Sequence, residues 1–274
     1  MELIHERISF VVNNHVAHVS LSRADKMNAL DVKMIEAIPL VGERIEQDKS
    51  IRAVVLSGDG DHFCSGIDKS NFTSLLEKRH IILDPEKTNY VLAERSHGKC
   101  NIYQYVVWMW RELSMPVIVA VNGITFGGGL QLMLGGDMRF ASPASRFSIM
   151  EMKWGLIPDM GGIQAMGALV RDDVIRMLSY TAKEFTADQA KEWGFITDVV
   201  EDPLAHALEV AYEIAEQNPD AIRSAKKVIE ASHNQTTEQG LLLEAQEQDK
   251  ILGKANQVEA VVSRLQQRKA NFVD

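Results

Sequence analysis

The sequence predicts an α/β body followed by an α-helical C-terminal region, and three observations carry that expectation. Short apolar runs of strand character alternate with helix-period segments through residues 1–200. From Pro203 onward nearly every window keeps helical periodicity, with Asn218-Pro219 as its clear break. Two of the apolar runs end in glycine-bearing turns, one at Gly66 and one at Gly127 to Gly129.

The elements follow in order. RISFVV and HVAHVSL flank Asn13-Asn14, which reads as a hairpin turn between two strands. DVKMIEAIPLVGERIEQ sets Ile35, Ile38, Val41 and Ile45 on one helical face, with Asp31 placed to cap it and Pro39 expected to kink or break it. RAVVLSG reads as a short buried strand that runs into the loop GDGDHFCSGID. The stretch from Ser70 to Lys99 is polar and holds no firm pattern, and NIYQYVVWMWREL then resumes as a helix with an aromatic face. MPVIVAVNG is strand-like, GGGLQLMLGG starts a helix, and DMRFAS is a further strand. Thr186 and Gln189 form a capping box for a helix that stops at Gly194, and FITDVV follows as a strand.

Composition narrows the function classes. A net charge of −9 on 274 residues argues against an extended nucleic-acid or anionic-membrane surface, because phosphate binding relies on clustered Lys and Arg. With two cysteines, Cys64 and Cys100, no disulfide framework or multi-cysteine zinc module can be drawn. The N-terminus MELIHERISF carries Glu2 and Glu6 and lacks the features of a secretion or import signal, so a cytoplasmic setting is expected. The uncharged stretch from Met115 to Gly136 is of membrane length, yet Pro116, Asn122, Gln131 and six glycines interrupt it, so no membrane span is expected.

Glycines at a strand-to-helix junction let the backbone turn sharply and expose its N–H groups to a ligand. The spacing of NGITFGGGLQ fits neither G-x-G-x-x-G nor the phosphate loop, so close helix packing stands beside ligand binding as a reading. The second junction, RAVVLSGDGDHFCSGID, strengthens the functional one: if the turns at Gly66-Ile67 and Gly127 to Gly129 face each other, their N–H groups could pinch one oxygen as an oxyanion hole. No G-x-S-x-G elbow accompanies them, the eight histidines show no ligand spacing, and no metal is expected, His62 near Cys64 included. Carboxylates are the better proton carriers. Glu151 lies in the largely apolar FSIMEMKWGLIPDMGG, where desolvation would raise its pKa, and Asp159 follows in a Gly/Pro-rich loop. From the residues alone, a buried structural carboxylate is as good a reading as a catalytic one. Tyr103, Tyr105, Trp108 and Trp110, with Phe72 and Trp154, read either as plain core or as the wall of an acyl pocket.

SRADKMNAL, HFCSGID, AVNGITFGGGLQ, FSIMEMKWGLIPDMGG and FTADQAKEWGFITDVV occur in the order found in the crotonase superfamily, the enoyl-CoA hydratases and isomerases, which the chain resembles over nearly its whole length. The resemblance implies a crotonase-like spiral of ββα units with two stacked sheets over residues 1–200, and an α-helical trimerisation region over 201–274. It further implies a homotrimer or dimer of trimers and an acyl-CoA substrate, with no cofactor beyond the coenzyme A of that substrate. The N–H groups of Ile67 and Gly128 would form the oxyanion hole, and Lys26, Met27, Ala29, Ser65 and Asp68 align with the segments that hold coenzyme A.

The chain departs from the two-glutamate pattern of typical hydratases. The later glutamate is Glu151, but the earlier position is Gln131, which can orient a water without accepting its proton. Asp159 gains weight, because some isomerases of the superfamily pair a glutamate with an acidic residue there, and a loop-capping role is its other reading. The expected catalytic set is therefore Glu151 as principal acid/base, Asp159 assisting, and Gln131. A crotonase-fold hydrolase of a thioester or β-dicarbonyl is the alternative, and a non-catalytic RNA-binding relative is disfavoured by the acidic total.

Overall fold

The computed structural model describes residues 2–69 and 92–274. Strands β1 (Glu2–Ile4), β2 (Ile8–Asn13) and β3 (Val16–Leu21) form an antiparallel meander. The β2–β3 turn is one residue later than expected: Asn13 pairs with Val16, and Asn14 and His15 take the two positive-φ positions. Asn tolerates that conformation, and the strand register forces His15 into it. From β3 the sheet continues in parallel through β4 (Ala53–Gly58), β5 (Val117–Val121), β7 (Met138–Ala141) and β10 (Asp198–Val199), giving seven strands. FITDVV contributes only Asp198 and Val199 to that edge.

These central strands are apolar on both faces because both faces are covered. Val54, Leu56, Val117 and Val119 point into the main core with α1 (Val32–Gln47) and α2 (Ile102–Glu112). Their neighbours Ala53, Val55, Ile118 and Ala120 face a second core, closed by α7 (Pro203–Ala215) through Ala207, Ala211 and Ala215 at four-residue spacing. Asp31 caps α1 as expected, accepting from Met34 N at 2.9 Å. Pro39 does not break α1, which runs through it with Pro39 itself buried. Packing of the apolar face outweighs the one lost backbone bond.

A second sheet holds β6 (Ile124–Phe126), β8 (Arg146–Ser148) and β9 (Glu184–Thr186). The chain leaves the large sheet after β5 and enters the small one at β6, then repeats the step from β7 to β8. Isolated parallel bridges, Leu30 with Ile67 and Cys64 with Thr125, carry the same register one turn of the spiral earlier. This is the ββα spiral that the resemblance implies. Short helices α3 (Gly128–Met133), α4 (Gly162–Gly167), α5 (Asp172–Thr181) and α6 (Ala187–Trp193) join these strands, and α6 carries the Thr186–Gln189 capping box and stops at Gly194. Beyond α7, α8 (Pro219–Ser232), α9 (Thr237–Ile251) and α10 (Ala255–Leu265) complete the helical region, with Asn218 capping α8. Among the described residues no helix is long and apolar enough to cross a membrane.

Candidate active site

The Cys64–Thr125 bridge decides where the two glycine turns sit. Cys64 N donates to Ile124 O at 3.2 Å and Phe126 N donates to Cys64 O at 3.0 Å, so the chains run in register and enter their turns side by side. A side-chain carbon on Gly66 would lie 2.7 Å from Phe126 O and 3.3 Å from Gly128 N, at a φ of +92°. Only glycine meets both demands. Gly127 is the positive-φ cap of α3, and Gly129 packs its Cα directly on Cys64 O.

The same register frees two N–H groups. Leu30 N donates to Gly66 O and Asp68 N donates to Leu30 O, so the intervening Ile67 turns its own N–H away from Leu30. Gly128 is the first residue of α3, whose first helical bond runs from Gln131 N to Gly127 O. Among the described residues neither N–H meets an acceptor. Both residues line a cavity of about 690 Å³.

Glu151 opens a short 3₁₀ turn (Glu151–Trp154) at the cavity wall. Its Oε1 accepts from Gln131 Nε2 at 2.6 Å, while Oε2 is buried without a partner. Burial raises the pKa of this carboxyl above the usual range, against the lowering effect of its hydrogen bonds, and the charge of Asp159 pushes it the same way. Gln131 itself is 2% exposed, and its Oε1 accepts from Met160 N at 2.9 Å and Gly162 N at 3.0 Å. Asp159 lies in the loop so gripped. Its residue surface is exposed, yet crowding of the carboxyl by protein raises its pKa, and it is not among the residues that line the cavity.

Lys26, Met27, Ala29, Ser65 and Asp68 all line the cavity. Arg23, which the sequence reading passed over, lines it too. Its guanidinium pairs with Asp68 at 2.5 Å and donates to Ala29 O at 3.0 Å. Asn28 was likewise missed, and it is the staple of this wall: fully buried, it accepts from Arg23 N at 2.8 Å and donates to Asp59 O at 3.0 Å and His62 O at 2.7 Å. Its left-handed φ of +52° is the signal an Asn can give in sequence. Asn28→Ala leaves those main-chain groups unpaired at a cost of about 1–3 kcal/mol. Calorimetry should show Tm lowered by several degrees, and coenzyme A should bind more weakly.

The remaining candidates separate. Trp154 lines the cavity, whereas Trp110 and Tyr103 are core, and Tyr105 stacks on His97 at 4.8 Å. Lys99 and Arg111 lie 5.2 and 5.4 Å from the ring centroid of Trp108, which backs the loop at Gly161. Phe72, with residues 70–91, lies outside the described residues. His62 Nδ1 accepts from Ile124 N, and Cys64 donates to Asn28 O with its thiol pushed up to about 12 by burial, so neither is poised as a nucleophile or base. Among the described residues no group of three or more His, Cys, Asp or Glu could hold a metal ion.

Comparison with known proteins agrees with this architecture. Residues 12–274 match the enoyl-CoA hydratase/isomerase family. A peroxisomal Δ(3,5)-Δ(2,4)-dienoyl-CoA isomerase of Arabidopsis thaliana is 27% identical over 263 residues, covering 95% of this chain and 93% of the relative. The (E)-benzylidenesuccinyl-CoA hydratase of Thauera aromatica is 29% identical over 238 residues, 86% of each chain. The crystal structure of an enoyl-CoA hydratase from Bacillus anthracis superposes with a TM-score of 0.86 at 27% identity, covering 97% of this chain and 98% of that one. The chain belongs to the enoyl-CoA hydratase/isomerase family.

Proposed function

We propose that the protein binds an unsaturated acyl-CoA thioester and moves its double bond, holding the thioester oxygen between the N–H groups of Ile67 and Gly128. Glu151 carries the proton. Its carboxylate takes a proton from C2 of a 3-enoyl thioester, the C–H electron pair spreads into a dienolate whose charge rests on the thioester oxygen, and the resulting carboxyl returns the proton at C4. Atoms and electrons balance, so no redox partner or metal is needed. The observation that carries this reading is the buried, unpartnered Oε2 of Glu151, a residue that lines the same cavity as the two free N–H groups. Asp159 assists by keeping Glu151 basic through its charge.

Coenzyme A is assigned to the wall formed by Lys26, Met27, Ala29, Ser65 and Asp68. Among the described residues Lys26 and Lys69 have no acidic partner, which suits phosphate groups at the cavity rim. The proposal includes no further cofactor, a cytoplasmic setting, and assembly as a homotrimer or dimer of trimers through 201–274, where Ile229, Leu241, Leu242 and Leu252 are exposed.

The relatives include both an isomerase and a hydratase by name, and one experiment separates the reactions. The protein is given 2-enoyl-, 3-enoyl- and dienoyl-CoA in deuterated water, and the products are weighed by mass spectrometry. A migrated double bond carrying deuterium without added oxygen is the expected result. Gain of one water would replace the isomerase reading with a hydratase, and release of free coenzyme A with a hydrolase.

A further inference from the structure

Among the described residues, Gln131 is the side chain that hydrogen-bonds both Glu151 and the loop bearing Asp159. The direction of its amide is forced. Met160 N–H and Gly162 N–H can only donate, so the oxygen must face them and the NH₂ must face Glu151. The side chain is buried and packs closely on Gly162, where a Cβ would lie only 2.6 Å from its Cγ. The amide oxygen cannot also accept from a water, since both of its lone-pair directions are taken.

We propose that Gln131 is a positioning residue: a polar strut whose carbonyl end grips the Asp159 loop and whose NH₂ end holds Glu151 as a proton acceptor through Oε1, leaving Oε2 unpaired. This rests on the acyl-CoA reading above and adds which residue decides the resting state of the base. A donor at 2.6 Å favours the charged carboxylate. An acceptor in its place does the reverse. A glutamate at 131 would still receive the two main-chain N–H bonds and stay ionised, so Glu151 would have to take up a proton shared between two facing oxygens. The charged group whose field reaches Glu151 is Asp159, while Lys153 lies on its own 3₁₀ turn and Arg23, Asp25, Lys26, Asp68 and Lys69 line the same cavity. None of these replaces the hydrogen bond from Gln131.

The test uses Gln131→Glu and Gln131→Met in the full chain, with two readouts. The first is kcat/KM against pH for a 3-enoyl-CoA. The second is infrared difference titration of the free protein, in which the protonated carboxyl band of Glu151 is assigned by its loss in Glu151→Gln. Gln131→Glu is expected to move the acid limb and the carboxyl titration about one pH unit or more alkaline, roughly tenfold in proton concentration. Gln131→Met, which removes the donor without adding charge, is expected to lower kcat with KM little changed and to move the titration less. An infrared titration that does not move in Gln131→Glu overturns the strut. Because that readout needs no turnover, it stands even if the wild-type protein rejects every enoyl-CoA, an outcome that would sink the functional reading alone.

Discussion

Replacing Glu151 by Gln is expected to lower kcat by about 10²- to 10⁴-fold, the usual worth of a positioned acid/base, with KM changed only a few-fold. The variant keeps the shape of the side chain and can still accept the Gln131 N–H through its amide oxygen. It loses the buried oxygen that has no partner. Since burial penalises the charged form of Glu151, removing that charge should leave Tm equal or higher, and a calorimetric scan separates lost chemistry from lost folding. The pH profile of the wild type carries the same signature. Glu151 works as a base when ionised, and burial raises its pKa, so kcat/KM should fall on acidification at a pH above the ordinary carboxylate range. A variant that retains the wild-type rate removes Glu151 from the chemistry.

The parts of this site that were legible in the sequence are those with a local cause. A glycine demanded by a positive φ or a close approach is written at one position, which is why Gly66 and Gly127 to Gly129 stood out before any contact was known. Caps are local too: Asp31 and Thr186 accept the hydrogen bonds expected of them, and the break expected at Asn218-Pro219 is a cap as well. What the sequence could not supply is register between distant segments. The Cys64–Thr125 bridge brings the two turns together across roughly sixty residues of chain, the Leu30–Ile67 bridge holds the first of them from roughly forty residues away, and nothing local announces either. Gln131 illustrates the same limit. Its presence in place of a carboxylate was plain, but the direction of its amide follows from donors near residue 160 that only the fold brings to it. Helical spacing of aromatics was ambiguous for a related reason, since Trp110 and Trp108 share a helix yet one is core and the other has two cations over its ring.

Gly66→Ala is expected to be nearly as damaging as loss of Glu151, though it touches no ionisable group. An alanine at a φ of +92° is strained by about 1–2 kcal/mol, and its Cβ would press on Phe126 O at 2.7 Å and on Gly128 N at 3.3 Å. Relief requires the two turns to part, which displaces the N–H of Ile67 and that of Gly128 from a common point. Losing one such donor costs about 2.7–4 kcal/mol of transition-state stabilisation, so kcat should fall about 10²- to 10³-fold. The comparison with free coenzyme A isolates the cause. That ligand lacks the thioester carbonyl, and the part of the wall proposed to hold it at Lys26, Met27 and Ala29 is anchored by Asn28 and Arg23, so its Kd should change far less than turnover. If coenzyme A binding and turnover instead fall together, the glycine turn is holding the cavity open rather than aiming two donors at a developing charge.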